Sequence, residues 1–229
     1  GESTRPGSTP VTAEEEKARV VPIIELMAPR LNIPISVDTS KFDVAKQSLE
    51  AGASTINDVW GLKNEPSLAQ LAAETASTII IMHNQMNTKY SDLMGNLISS
   101  LESSLNIALS AGVLMANVIV DPGLGFGKTH VQNLEILNRL SELKSIGLPI
   151  LVGTSRKSTI GTVLGLPVEE RLEGTSATVA LAIANGADMV RVHDVKEMVR
   201  VARMSDAIVR GWQDPGVDSS TVSINEIPK

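Results

Sequence analysis

The chain has 229 residues, 42% hydrophobic and 20% charged, a globular rather than disordered composition that suits one β/α barrel domain of about 200 to 250 residues. A net charge of −6 offers no basic face to displace counterions from nucleic acid, and 2% aromatics leaves few platforms for stacking bases. The lack of cysteine excludes disulfides and thiolate metal sites and fits a cytoplasmic protein; no apolar run reaches the roughly 18 residues of a membrane span, and no apolar signal segment follows a basic start.

In chain order, Gly1-Glu2-Ser3-Thr4-Arg5-Pro6-Gly7 reads as a loop leading into a helix, whose start is marked by the capping-box pattern Thr12-Ala13-Glu14-Glu15. Six short β-branched runs follow, at 35–38, Thr55–Asp58, Thr78–Met82, Val118–Asp121, 150–153 and 189–193. Continuous apolar runs of this length suit strands buried on both faces of a parallel sheet. Helix-like segments lie between them, among them Val131, Leu134, Leu137, Leu140 and Leu143, a stripe at every third residue expected to pack on the sheet. The alternation predicts an α/β parallel architecture. From Gln213 to Lys229 the chain turns polar and reads as a tail beyond a domain of residues 1–212.

A doubly wound sheet and a closed barrel share this alternation. Polar side chains end almost every run here, and the glycine-rich segment lies in mid-chain rather than after the first strand, so the barrel is favoured. Six strands are visible where a barrel has eight, and no strand precedes the opening loop. The expectation is a (β/α)8 barrel lacking roughly its first two strands.

The chemistry-bearing residues cluster after these runs. Asp38 closes the first, Asn57 and Asp58 the second, and His83 follows Met82. Asp121 opens Asp121-Pro122-Gly123-Leu124-Gly125-Phe126-Gly127-Lys128, Ser155-Arg156-Lys157-Ser158 follows Gly153, and Arg191-Val192-His193-Asp194 ends the last run. A lone aspartate at a strand end is more often a cap than a ligand, but recurrence at successive ends points to a barrel active face. Gly127-Lys128-Thr129 imitates the end of a phosphate loop, yet Pro122 stands where that pattern needs glycine. Three histidines, His83, His130 and His193, occur singly, so no metal site is expected from them, and no Gly-x-Ser-x-Gly elbow marks a hydrolase. Arg5, Arg156, Lys157, Arg191 and His193 form a cationic set suited to a phosphate or pyrophosphate, and Asp38, Asn57 and Asp121 a hydrogen-bonding trio suited to a polar heterocycle.

Six segments, Gly1 to Gly7, Ser36 to Asp38, Ile56 to Asp58, Asp121 to Lys128, Ser155 to Ser158 and Arg191 to Asp194, together resemble the dihydropteroate synthase family, in register as far as about Trp212. The resemblance implies a commonly dimeric, sulfonamide-targeted barrel transferase of folate biosynthesis. Such an enzyme joins 7,8-dihydropterin-6-methyl diphosphate to p-aminobenzoate with loss of pyrophosphate, assisted by magnesium. It places Asp38, Asn57, Asp121 and Lys157 on the pterin, with Met82 and Phe126 nearby. Arg191 and His193 fall on the diphosphate, and Thr4, Arg5, Pro6 and Ser158 on the aminobenzoate. Asp38, Asp121 and Lys157 carry the catalytic expectation.

The family's opening strand and its Asn-x-Thr-Pro-Asp-Ser-type loop, which help to hold magnesium and cover the aminobenzoate, have no counterpart here. This segment alone is therefore expected to be poorly soluble or inactive, and a version extended by those strands active. The rival readings are a pterin-dependent methyltransferase, which has no diphosphate to bind, and a non-catalytic pterin-binding fragment.

Overall fold

The structure, a computed structural model, describes residues 1–3 and 8–212. The expected aminobenzoate residues Thr4, Arg5 and Pro6, and the expected tail 213–229, lie outside the described residues.

The first helix, α1 (Ala13–Met27), begins where the capping pattern places it: Thr12 accepts a hydrogen bond from the Glu15 amide at 3.2 Å. The Glu15 carboxylate pairs with Arg19 one turn later. Four strands follow, β1 (Ser36–Asp38), β2 (Thr55–Asp58), β3 (Thr78–Met82) and β4 (Val118–Asp121), all parallel and hydrogen-bonded in that order. A second parallel pair, β5 (Leu151–Val152) and β6 (Met189–Val190), joins them through a bridge between Val120 and Ile150. These last two are shorter than the runs 150–153 and 189–193, because Gly153 and the residues after Val190 leave the ladder for the site loops; the Arg191 amide still donates to Val152 O at 2.9 Å.

Seven further helices alternate with the strands: α2 (Phe42–Glu50), α3 (Ser67–Glu74), α4 (Leu93–Ser110), α5 (His130–Asn138), α6 (Ser158–Leu164), α7 (Leu172–Ala184) and α8 (Val195–Val209). Ile56, Ile79, Ile81 and Val120 of the sheet pack with Leu68, Leu97, Leu101 and Ile136 in one aliphatic core. The five-residue stripe does not hold as one face. Val131 and Leu134 are exposed, while Leu137, Leu140 and Leu143 are buried. A period of three drifts around an α-helix but stays in line in a 3-10 helix, and Leu140 and Leu143 lie in such a helix, Leu140–Ile146, while α5 buries Asn133, Ile136 and Leu137.

The strands curl into part of a barrel. In a flat sheet of this order β6 would stand four strand spacings from β2, roughly 19 Å at about 4.8 Å each, beyond the reach of an arginine. Yet Arg191, just past β6, donates to the Asn57 side chain on β2 at 3.2 Å and to Asp121 on β4 at 2.7 Å. Among the described residues the outer edges of β1 and β6 carry no strand partner, and no helix is long and apolar enough to cross a membrane.

Candidate active site

The carboxyl ends of the parallel strands collect the polar side chains, as expected of a barrel. The Asn57 and Asp121 side chains are buried. Asp121 Oδ1 accepts from the Gly123 amide at 2.7 Å, and Oδ2 accepts from Arg191 Nη2. Asn57 Oδ1 accepts from Arg191 Nη1, whereas its buried Nδ2 has no hydrogen-bond partner within the chain. Asp38 opens onto a polar cavity of about 760 Å³ that Phe126 and Lys128 also line. Its carboxyl pKa is raised by desolvation, against the opposing pull of Arg191 and the nearby Asn57 amide. Met82 is buried and pairs in register with Asp121, so it forms wall rather than rim.

Asp58, also at a strand end, has a different role. Its carboxylate accepts from Ser40 Oγ at 2.7 Å, the Trp60 amide at 3.0 Å and the Leu62 amide at 2.6 Å, and the residue is fully buried. It holds the turn after β2 and the start of the segment after β1 together.

The loop after β4 is shaped by left-handed glycines. At Gly123 (φ +67°) a Cβ would overlap the His83 carbonyl oxygen, and at Gly127 (φ +57°) the Gln85 carbonyl oxygen. The buried Lys128 ties this loop inward: its Nζ donates to Gly123 O and Phe126 O at 2.9 Å each and to His83 Nδ1 at 2.9 Å. When Lys128 is protonated its ammonium only donates, so that Nδ1 accepts and the His83 proton sits on Nε2. Burial and the Lys128 charge push the His83 pKa down to about 3, and burial brings Lys128 down to about 7 although Asp121 resists.

Lys157 extends from the loop after β5 to donate to Leu124 O, with its ammonium 5.1 Å from the centre of the Phe126 ring. Desolvation lowers its pKa to about 8, opposed by Asp121 and assisted by Arg191. Ser158 stands exposed at the first position of α6, beside it. His193 is exposed at the mouth, held by Ser155 Oγ through Nδ1 at 2.9 Å and its amide at 3.1 Å. The Arg156 guanidinium forks onto Asp194, with Nε 3.0 Å from Oδ2.

The structure thus joins Asn57, Asp121 and Arg191 by direct bonds, sets Asp38 beside them, and links Lys157 with Phe126. Sequence reasoning missed three supports. Lys128 was passed over as the end of a false phosphate loop, and Ser155 as a neighbour of basic residues. Asn133, which accepts from the Gly125 amide at 2.8 Å, is a buried polar residue on the core face of α5, and that position is the signal that could have found it. For magnesium, expected from the resemblance, no group of three His, Asp or Glu side chains converges among the described residues. These residues do not by themselves make its site, and no step is assigned to it.

Residues 1–193 match the family model described as pterin binding enzyme. The dihydropteroate synthase of Clostridium beijerinckii is 53% identical over 211 residues, covering 92% of this chain and 78% of that protein. A crystal structure of dihydropteroate synthase from Clostridium difficile in the presence of pteroic acid superposes with a TM-score of 0.90 at 49% identity, covering 92% of this chain and 80% of that one. The Yersinia pestis dihydropteroate synthase in complex with a sulfonamide drug gives 0.87 at 40% identity, over 91% and 78%. The chain belongs to the pterin-binding enzyme family, among the dihydropteroate synthases.

Proposed function

We propose that the chain joins 7,8-dihydropterin-6-methyl diphosphate to p-aminobenzoate, giving 7,8-dihydropteroate and pyrophosphate. The observation that carries this reading is the junction at Arg191, where a guanidinium suited to the diphosphate meets the amide and carboxylate suited to the pterin. A methyltransferase would have no use for the cations Arg191 and His193 beside that trio.

In the proposed reaction Asp121 and Asn57 take the N–H and carbonyl edge of the pterin, the unpartnered Asn57 Nδ2 supplying a donor. Asp38 borders the same ring, and Phe126 and Met82 flank it. Arg191 and His193 neutralise the diphosphate as the C–O bond to the pterin methylene breaks and the electron pair leaves on oxygen. The methylene becomes cationic, and the carboxylates of Asp38 and Asp121 stabilise it electrostatically, an effect worth about 2.7–4 kcal/mol by the measure of preorganised donors. The amine nitrogen then forms the new C–N bond and gives up a proton to solvent. No enzyme nucleophile is needed.

Ser158, with Thr4, Arg5 and Pro6, is assigned to the aminobenzoate side, where sulfonamides would compete. A homodimer is proposed as well, supported by the exposed Leu181, Met204 and Ile208 on α7 and α8. Calorimetric titration of the full-length protein with the dihydropterin diphosphate tests the assignment. Binding should be weakened by Asp121→Ala and by Lys157→Ala; binding indifferent to both would refute it.

A further inference from the structure

Lys157, carried by the loop after β5, meets the loop after β4 at two points. Its ammonium donates to Leu124 O and lies 5.1 Å from the centre of the Phe126 ring. Gly125 stands between those two residues at φ +83°, so close that a Cβ there would sit 3.4 Å from the Lys157 side chain. Where the ammonium rests therefore depends on where Gly125 is held. The Gly125 amide donates to Asn133 Oδ1 at 2.8 Å, across the start of α5.

Asn133 is 3% exposed. A backbone N–H can only donate, so Oδ1 must face Gly125, which leaves Nδ2 to donate to Thr159 Oγ1 at 3.2 Å. Thr159 is buried as well, two residues past Lys157 in the first turn of α6, and its hydroxyl lies 3.1 Å from His130 Nδ1. These bonds close a ring. Lys157 holds Leu124, Gly125 holds Asn133, Asn133 holds Thr159, and the chain returns from Thr159 to Lys157. A helix residue that no ladder or cap requires thus joins the two loops.

We infer that Asn133 is a positioning residue for Lys157: it fixes the loop after β4 against the first turn of α6, so that the lysine of one loop is held on the carbonyl and ring of the other. The consequence for pterin binding rests on the function proposed above. Phe126 has supports of its own, since its amide donates to Gly123 O at 3.1 Å and its carbonyl accepts from Lys128. Asn57 and Asp121 are bonded to Arg191, outside the ring. The effect of Asn133 on the ligand therefore runs through Lys157. The same closure keeps water from the ammonium, whose pKa desolvation lowers to about 8, with Asp121 opposing, Arg191 assisting and Lys128 the further cation of this loop.

The test is a double-mutant cycle in the full-length protein, read as Kd for the dihydropterin diphosphate, with thermal melting as the control for folding. Asn133→Leu should raise Kd about tenfold, short of the hundredfold that about 1 Å of misplacement can cost. Thr159→Val, which keeps the shape and loses the hydroxyl, should raise it about threefold, the size of one lost hydrogen bond, and Thr159→Ser should restore it. In a Lys157→Ala background each substitution should change Kd by less than about twofold, because the residue it positions is gone. Equal factors with and without Lys157 overturn the inference. So does a Kd unchanged in Thr159→Val, or lost equally in Thr159→Ser, even if Asn133→Leu fails to fold. If the unsubstituted protein binds no dihydropterin diphosphate, the proposed function fails, and the titration of Lys157 Nζ by lysine-labelled NMR still decides the inference. Its midpoint should rise in Asn133→Leu and Thr159→Val as water reaches the ammonium; an unchanged midpoint overturns it.

Discussion

Arg191 Nη2 donates to Asp121 Oδ2 at 2.7 Å, so the cation assigned to one end of the substrate is bonded to the anion assigned to the other. The pterin N–H donors are assigned to the same carboxylate, so substrate binding is predicted to compete with this ion pair and turn Arg191 outward, toward the diphosphate. Arg191→Ala is expected to weaken the dihydropterin diphosphate by about 10- to 150-fold, the equivalent of 1.5–3 kcal/mol for a charge-assisted contact. The matching pterin alcohol, which lacks the diphosphate, should bind as well as before or better. Calorimetry with both ligands checks this; equal losses for the two would contradict the competition.

Asp121 serves the loop and the ligand with different oxygens. Asparagine there can still accept from the Gly123 amide through Oδ1, so Asp121→Asn should fold. It removes the negative charge facing the developing cation, and kcat should fall by about 10²- to 10³-fold, the range found when one preorganised electrostatic partner is lost. Stopped-flow or steady-state kinetics at saturating amine measures it. A fall in affinity alone would place Asp121 in binding and not in the chemical step.

Lys157 supplies a pH test. Its folded pKa is pushed down to about 8, first by desolvation, so its charge is present below that pH and lost above it. If the pterin site uses the charged form, affinity should fall about tenfold per unit as pH rises beyond about 8. Arginine keeps its proton throughout this range, so Lys157→Arg should carry the affinity that it retains to higher pH. A wild-type profile flat from pH 7 to about 9.5 would contradict a role for the charge.

Asp58 separates structure from chemistry. Replacing it by alanine strands one hydroxyl and two amide donors, and should cost roughly 3 kcal/mol or more in a urea unfolding experiment. Asp121→Asn, which keeps the acceptor for Gly123, should cost less than that.

Much of this was legible in the sequence because parallel strands buried on both faces write themselves as apolar runs: Thr55–Asp58, Thr78–Met82 and Val118–Asp121 stand as read. That Asp38, Asn57, Asp121, Lys157 and Arg191 stand at one end of the sheet was legible because a barrel gathers polar side chains at strand ends. What stayed hidden depends on which donor meets which acceptor across the barrel. Arg156 and Arg191 look alike in sequence, yet one is bound to Asp194 and the other to Asp121. Asp58 and Asn57 are neighbours on one strand, yet only Asn57 meets Arg191 across the barrel. The leucine stripe misled because a period of three belongs to the 3-10 helix after α5 and not to α5 itself.

The most direct measurement is pyrophosphate release by the full-length protein, followed together with formation of dihydropteroate. The account predicts that with p-aminobenzoate saturating both appear in a one-to-one ratio, and that Arg191→Ala suppresses both. No product from the two substrates together, or dihydropteroate formed without pyrophosphate, would contradict it.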